Sequence, residues 1–224
     1  MSAVFVTATG TEIGKTFVTA GLIRHFRQTG RAVAAIKPIV SGFDPNSAAG
    51  SDPGVLLHAI GRPTTPEEIA RISPWRFAAG VAPDLAARRE GRSIDFPALV
   101  AFCQKAMAGN DMLLIEGVGG VMVPLDDRHT VIDWISALRV PVIVIAGSYL
   151  GTISHTLTAL HVLARRNIST AAVVVSETPG SPVPLDETAA SIAHFADMID
   201  VIPLPRLASG TQAHPAFERL AALL

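Results

Sequence analysis

The sequence predicts an α/β fold: a parallel sheet of about seven strands with helices on both faces, in one domain over residues 1–224. Three observations carry this. Short, wholly apolar runs recur along the chain and suit strands buried on both faces better than halves of solvent-facing hairpins. Stretches with apolar residues at helical spacing separate them. The connections are short and rich in Gly, Thr and Ser, so strand, loop and helix alternate as in a parallel sheet.

Taken in order, residues 3–6 form the first apolar strand, which empties into Thr7-Ala8-Thr9-Gly10-Thr11-Glu12-Ile13-Gly14-Lys15-Thr16. Residues 17–27 follow with a helical stripe of Val18, Leu22, Ile23 and Phe26, and Gly30 is a plausible stop. Residues 32–36 are a second buried strand, ending in Lys37-Pro38-Ile39-Val40-Ser41-Gly42. Residues 43–63 read as loop with one short helix at 54–60, and Ser51-Asp52 stands where a helix cap is expected. Residues 72–91 read as an irregular packed segment with Trp75 and Phe77, then a helical turn over 84–90.

Residues 96–108 make an amphipathic helix with Leu99, Phe102, Cys103, Ala106 and Met107 on one side, which assigns Cys103 to the core. Residues 112–115 are a buried strand ending in Glu116-Gly117-Val118-Gly119-Gly120. Asp126, Asp127 and His129 sit in a polar turn and read as solvated. Residues 140–146 are a strand, 152–165 a helix, 170–175 a strand, 186–197 a helix, 201–202 a short strand and 215–224 a closing helix. His155 and His161 are six residues apart, which points them roughly 120° from each other on a helix, so they share no metal.

Composition limits the functions available. At 49% apolar and 17% charged residues, the chain has a core to bury and is not disordered. A net charge of -1 provides no general field for nucleic acid or an anionic membrane, so neither is an expected partner. Any phosphate must be caught locally. Cys103 is the single cysteine, which excludes an internal disulfide or a cysteine metal cluster and fits a reducing compartment. No basic segment with a long apolar stretch precedes the first strand, and no run reaches the roughly 18 apolar residues of a membrane span. The expected location is the cytoplasm.

Chemistry collects at the strand ends. A strand that empties into a small-residue loop closing in Gly14-Lys15-Thr16 is the arrangement of a phosphate cradle. Backbone N–H groups and the positive end of the next helix point at one place. Lys15 adds a mobile charge there, and the Thr16 hydroxyl a ligand for nucleotide magnesium. The general GxxxxGKS/T pattern asks for glycine where Thr9 stands. Lys37 and Ser41, after a neighbouring strand, lie in the crevice where such sheets bind ligands. Glu116, ending a buried strand, suits magnesium held directly or through water, and the glycines after it let backbone approach a ligand. Asp52 is either a helix cap or a magnesium or nucleotide contact; spacing does not decide.

Together these motifs resemble the dethiobiotin synthetase family, whose pattern reads GTDTxVGKT, KPVxSG, EGAGG and LGxxNH. The matching stretches are residues 8–16, 37–42, 116–120 and Leu150-Gly151-Thr152-Ile153-Ser154-His155, in the family order and over essentially the whole chain. The resemblance implies a P-loop NTPase-like domain and an ATP-dependent cyclo-ligase, which closes 7,8-diaminopelargonate on CO2 or bicarbonate into a cyclic urea through a carbamate and its phosphorylated form. It implies Lys37, Lys15 and Thr11 as catalytic residues and Mg2+ on Thr16, Asp52 and Glu116. Nucleoside triphosphate falls to Glu12, Ile13, Gly14, Lys15, Thr16, Phe17, Asp52, Glu116, Gly117, Val118, Gly119, Ser176, Glu177, Pro203, Leu204 and Pro205. Substrate contacts fall to Thr11, Ser41, Gly120, Leu150, Gly151 and Ser154, in a homodimer that holds the substrate carboxylate near the subunit interface.

The chain departs from the pattern in four places. Ala8 stands for glycine, Gly10 for aspartate, Ser154 for asparagine, and Ser176-Glu177 for the Asn-Asp that reads adenine. Serine offers one hydroxyl where an amide offers donors and an acceptor, so triphosphates other than ATP enter the expectation. A second class also uses such a loop: nucleotide-switched partitioning or metal-insertion ATPases. These carry an additional early lysine, and Gly10 occupies that position.

Overall fold

The computed structural model describes residues 2–208 and 213–224. Its centre is a six-stranded, wholly parallel sheet in the order β2-β5-β1-β6-β7-β8. The strands are β1 (Ser2–Ala8), β2 (Ala34–Ile36), β5 (Met112–Glu116), β6 (Val142–Gly147), β7 (Thr170–Ser176) and β8 (Asp200–Leu204). Two further strands, β3 (Ile39–Ser41) and β4 (Trp75–Phe77), pair parallel with each other in a small separate sheet. The main sheet is thus one strand smaller than the expected seven, and its six strands are those located in the sequence. Pro38, between β2 and β3, cannot donate to a ladder, and the chain steps off the main sheet there. Lys37 N–H then bonds the carbonyl of Ile72, and Ser73 Oγ returns a bond to the carbonyl of Lys37.

Every residue of β5 and β6 is buried, which requires cover on both faces of the sheet. That cover is three groups of helices. In the first, α1 (Lys15–Gln28) packs with α2 (Asp52–Ile60) and α9 (Pro215–Ala222). In the second, α5 (Phe96–Ala108) packs with α6 (Val131–Leu138). In the third, α7 (Thr152–Arg165) packs with α8 (Leu185–Phe195). Of the other α-helices, α4 (Pro83–Arg89) packs on the small sheet and α3 (Pro66–Ile72) packs against α2. Phe5 of β1 and Trp134 of α6 meet edge-on at 4.8 Å, both fully buried, and join the central strand to its cover.

The outer strands differ from the inner ones. β2 has three residues, and β8 carries Pro203, which an edge strand tolerates because its N–H would face away from the ladder. Beside them, β1 sits between β5 and β6, with Phe5 opposite both Ile115 and Val142. The carboxyl ends of β1, β2, β5, β6 and β7 therefore release their loops along one rim, where open parallel sheets bind ligands. Among the described residues no helix is long and apolar enough to cross a membrane.

Two α-helices fall outside the sequence expectation. α6 starts in a capping box in which the backbone N–H and hydroxyl of Thr130 both donate to Asp133 Oδ2, at 2.9 and 2.8 Å. α3 starts at Thr65, whose Oγ1 accepts from Glu68 N–H, with Pro66 in its first turn.

α1 and α9 approach so closely that a Cβ on Gly21 would lie 2.1 Å from the Phe217 ring. Gly21→Ala should therefore destabilise the protein by about 1–3 kcal/mol, although alanine is the better helix former. Phe217→Leu in the same chain should restore part of the loss. Urea unfolding of the single and double variants checks this, and a neutral or stabilising Gly21→Ala would refute the packing argument.

Candidate functional site

The site begins where β1 ends. Thr9 N–H still bonds the carbonyl of Ile145, and the chain then turns through residues 10–14 into α1. Gly14 caps α1 at φ 99°, with no side chain bonding the helix end. Two constraints select glycine there. That φ is costly for any side chain, and an added Cβ would stand 2.8 Å from Ser176 Oγ. The first N–H groups of α1 are left for an anion, with no acidic residue in the first turn. Ala8, where the resemblance expects glycine, is the last residue of β1, buried and paired with Ile145. Neither Ala8 nor Gly10 has positive φ, so their exchange costs the loop nothing. The unusual residue is Glu12, at φ 59°.

Five side chains converge beside this loop. Lys37 Nζ lies 2.8 Å from Glu116 Oε1, 3.0 Å from Asp52 Oδ2 and 3.0 Å from the carbonyl of Gly117. Thr16 Oγ1 donates to the same Glu116 Oε1 at 2.6 Å. Lys15 Nζ folds back onto the carbonyl of Gly10 at 3.0 Å. Lys37 is 2% exposed and Glu116 fully buried, whereas the Asp52 side chain is close to half exposed.

Electrostatics separates the two lysines. Burial, then the charge of Lys37, pushes Lys15 down to about 8. Burial would also lower Lys37, but the carboxylates of Glu116 and Asp52 outweigh it and hold Lys37 above its ordinary value. Partial burial would raise Asp52, and Lys37 reverses that, so Asp52 stays below the usual carboxylate range. Lys37 is thus a fixed cation with two anions, and Lys15 a weakly held one. The cap question for Asp52 resolves as well: Ser51 caps α2 through Gly54 N–H, and Asp52, first in the helix, turns to Lys37.

One oxygen of this cluster is unspent. Glu116 Oε2 is buried with no hydrogen-bond partner, and Ser41 Oγ and Thr9 Oγ1 share that condition. A hydroxyl and two carboxylates with a free buried oxygen are hard donors of the kind magnesium takes, so Thr16, Asp52 and Glu116 fit that ion. Among the described residues no group of three or more His, Cys, Asp or Glu side chains offers another metal site. His129 instead bonds Asp126 at 2.8 Å and stacks on Phe96. The Cys103 thiol is buried and pushed up to about 12, which excludes it as a nucleophile.

The glycines after Glu116 have distinct tasks. A Cβ on Gly117 would strike the Phe5 ring at 2.6 Å, and one on Gly120 would come within 3.2 Å of the carbonyl of Ala8. The loop of residues 117–120 therefore lies backbone to backbone along the phosphate loop, with Gly119 at φ 58°. Val118 is half-buried between them.

On the other side of Gly14, Ser176 pairs with Gly147 and Leu204. Glu177 N–H bonds the carbonyl of Leu204, and its carboxylate accepts the N–H of Arg206 at 2.8 Å. Ser176 thus borders the phosphate loop, whereas Glu177 is tied to the chain at and after the end of β8. Pro203 and Leu204 belong to β8, with the Leu204 side chain in the core, and Pro205 follows half-buried. Ile13 packs on the core, and the Phe17 ring, partly exposed, lies 6.3 Å from that of Phe217.

A cleft of about 510 Å³ opens beside the loop, lined by Thr11 and Gly120 together with Thr9, Gly10, Met122 and His155. His155, whose Nδ1 lies 2.9 Å from Tyr149 Oη, ends the LGxxNH stretch and does not stand among the expected site residues; that motif is the signal for it. Leu150 and Ser154 are exposed near the start of α7, capped by Gly151 at φ 98°, and do not line the cleft.

Comparison with known proteins places this geometry in a family. An AAA domain family matches residues 2–212. The ATP-dependent dethiobiotin synthetase BioD of Acidiphilium cryptum is 52% identical over 194 residues, 86% of this chain and 87% of that protein. The enzyme of the same name from Methylobacterium nodulans is 52% identical over 88% of this chain and 90% of its own length, and that from Phenylobacterium zucineum 43% over 99% and 96%. Among solved structures, the cell division ATPase MinD of Pyrococcus furiosus aligns with a TM-score of 0.56 at 17% identity, over 100% of this chain and 98% of its own. A chain of the MinC:MinD cell division protein complex of Aquifex aeolicus aligns at 0.58 and 12%, over 98% and 86%. At such identity these structures share the fold alone, a P-loop NTPase sheet, and the partitioning-ATPase alternative gains nothing further from them. The loop, the buried lysine and carboxylate, and relatives at 43–52% identity agree: the chain belongs to the ATP-dependent dethiobiotin synthetase family.

Proposed function

We propose that this chain, as one domain over residues 1–224, closes 7,8-diaminopelargonate on CO2 to give dethiobiotin, ADP and phosphate, as an ATP-dependent ligase of biotin synthesis in the cytoplasm. The observation that carries the reading is Lys37, buried between Glu116 and Asp52 against the loop of Lys15 and Thr16. It is a fixed positive centre at the mouth of a phosphate cradle, next to a cleft that takes an elongated substrate.

The reaction needs placement and charge neutralisation more than acid–base chemistry. One substrate amine forms a C–N bond to CO2 and releases a proton, leaving a carbamate anion. Lys37, by turning the N–H that it gives the carbonyl of Gly117, and the hydroxyls of Thr11 and Ser41 hold that anion, and the unpartnered Ser41 Oγ is suited to donate. The carbamate oxygen then takes the terminal phosphoryl group of ATP, and the P–O bond to ADP breaks. Lys15 leaves Gly10 to follow the phosphoryl charge, while N–H groups of residues 12–17 hold the other phosphates. The second amine attacks the carbamate carbon, the C–O bond to phosphate breaks, the departing phosphate takes the amine's proton, and the ring closes as a urea. Magnesium, when bound at Thr16, Asp52 and Glu116, neutralises phosphate charge. Gly117, Val118 and Gly119 border the nucleotide, and Gly120 borders the substrate.

Ser176, Glu177 and residues 203–205 flank the base. With a serine hydroxyl in place of an amide, discrimination among triphosphates is weak. The cleft is open, and Met122 and Leu150 beside it are 54% and 79% exposed. A second copy of the chain covers this surface, and residues 150–154 hold the substrate carboxylate at the interface.

Purified protein with diaminopelargonate, labelled bicarbonate, magnesium and ATP should yield a labelled cyclic urea; no such product with any nucleoside triphosphate would sink the assignment. Lys37→Ala should abolish turnover and also leave Glu116 buried beside Asp52 without a cation, at a cost of about 3–5 kcal/mol. Magnesium should recover part of that stability, because it can replace the ammonium between the carboxylates. Thermal unfolding with and without magnesium reads this: a larger upward shift in Lys37→Ala than in the parent protein is expected.

A further inference from the structure

A cavity of about 610 Å³ lies away from this chemistry, and none of Lys15, Thr16, Lys37, Asp52 or Glu116 lines it. It is bounded by the small sheet, the start of α3 and the segment after α4. Phe43, Pro66, Ile69 and Phe77 give it an apolar wall, and its polar groups are Arg76, Arg92 and Glu90. Its volume is in the range that encloses a small ligand, roughly 300–1,000 Å³.

The charges in it do not balance. Glu90 is fully engaged: Oε1 accepts Ala78 N–H at 2.7 Å, and Oε2 pairs with Arg92 at 2.9 Å. Arg92 also donates to the carbonyl of Arg76 at 2.8 Å and lies over the Phe77 ring. Arg76 is partly buried, lies 5.5 Å from the Phe43 ring centre and donates to the carbonyl of Ser73. Among the described residues it has no carboxylate partner. A partly buried guanidinium beside a second one, with the nearby carboxylate already spent, is costly until an anion arrives. Burial and Arg92 both hold Arg76 below its ordinary value, in keeping with that cost.

We propose that this cavity binds a small carboxylate carried on an apolar body, with Arg76 taking the carboxylate and the wall of Phe43, Pro66 and Ile69 taking the body. A guanidinium presents paired donors that match a carboxylate, and the apolar wall selects against bare inorganic anions. The inference is independent of the ligase reading, since it uses none of the residues of that reaction. Phe43 follows the Ser41-Gly42 stretch, so the chain leaving β3 connects the two sites while their linings stay separate.

Octanoate is the probe, with octanol and octylamine as chain-matched controls, titrated calorimetrically into the ligand-free protein. One equivalent of octanoate should bind, neither control should saturate, and Arg76→Gln should weaken octanoate at least about tenfold. Lys15→Ala should leave it unchanged. Ala48→Phe, which fills the cavity and keeps both arginines, should also weaken binding and serves as the readout should Arg76→Gln fail to fold. The proposal is overturned by no binding, by several equivalents, by equal binding of octanol or octylamine, by variants at Arg76 and Ala48 that bind as the parent does, or by a loss confined to Lys15→Ala.

Discussion

The interaction on which the site depends is the contact of Lys37 with Glu116 and Asp52. An ammonium and a carboxylate buried together repay their desolvation only with close geometry and further hydrogen bonds. Here the bonds come from the carbonyl of Gly117 and the hydroxyl of Thr16. This single cluster ties the end of β2 to the end of β5, the first turn of α2 and the first turn of α1. Four segments distant in sequence are thereby held at one point, and the reacting groups inherit their positions from it.

Charge placement within the cluster is uneven in a useful way. Lys37 makes three strong contacts and is fixed, whereas Lys15 has one carbonyl and little solvent. A group in the second condition gains from meeting phosphate, since an anion relieves both its burial and the repulsion from Lys37. Gly14 and Ser176 stand so close that the phosphate loop and the end of β7 cannot shift independently. The base and phosphate contacts proposed for these segments are therefore set by one packing arrangement.

Much of this was legible in the residues because it is local. Buried strands of five or more residues, the α5 and α7 helices, and Gly14-Lys15-Thr16 are runs whose periodicity or composition declares them. β3 and β4 are too short to show a period, and Pro38 and Pro74 disguise them as loop. α6 was hidden by the polar turn before it, although Thr130 and Asp133 spell its start. Asp52 could not be decided from spacing, because its partner Lys37 lies in another element. The charge imbalance around Arg76 is invisible in sequence for the same reason: Glu90 looks available until the fold shows it bound elsewhere.

The two outer strands bear on how copies of this molecule can meet. A long bare strand at a sheet margin is a template for extending the ladder into a neighbour, and from there into aggregates. β2 stops after three residues at Lys37-Pro38, and β8 carries a proline, so neither margin offers a long run of free donors and acceptors. Ladder extension between chains is blocked at both sides. Self-association is left to side-chain surfaces, where shape and chemistry can limit it to a chosen number of copies.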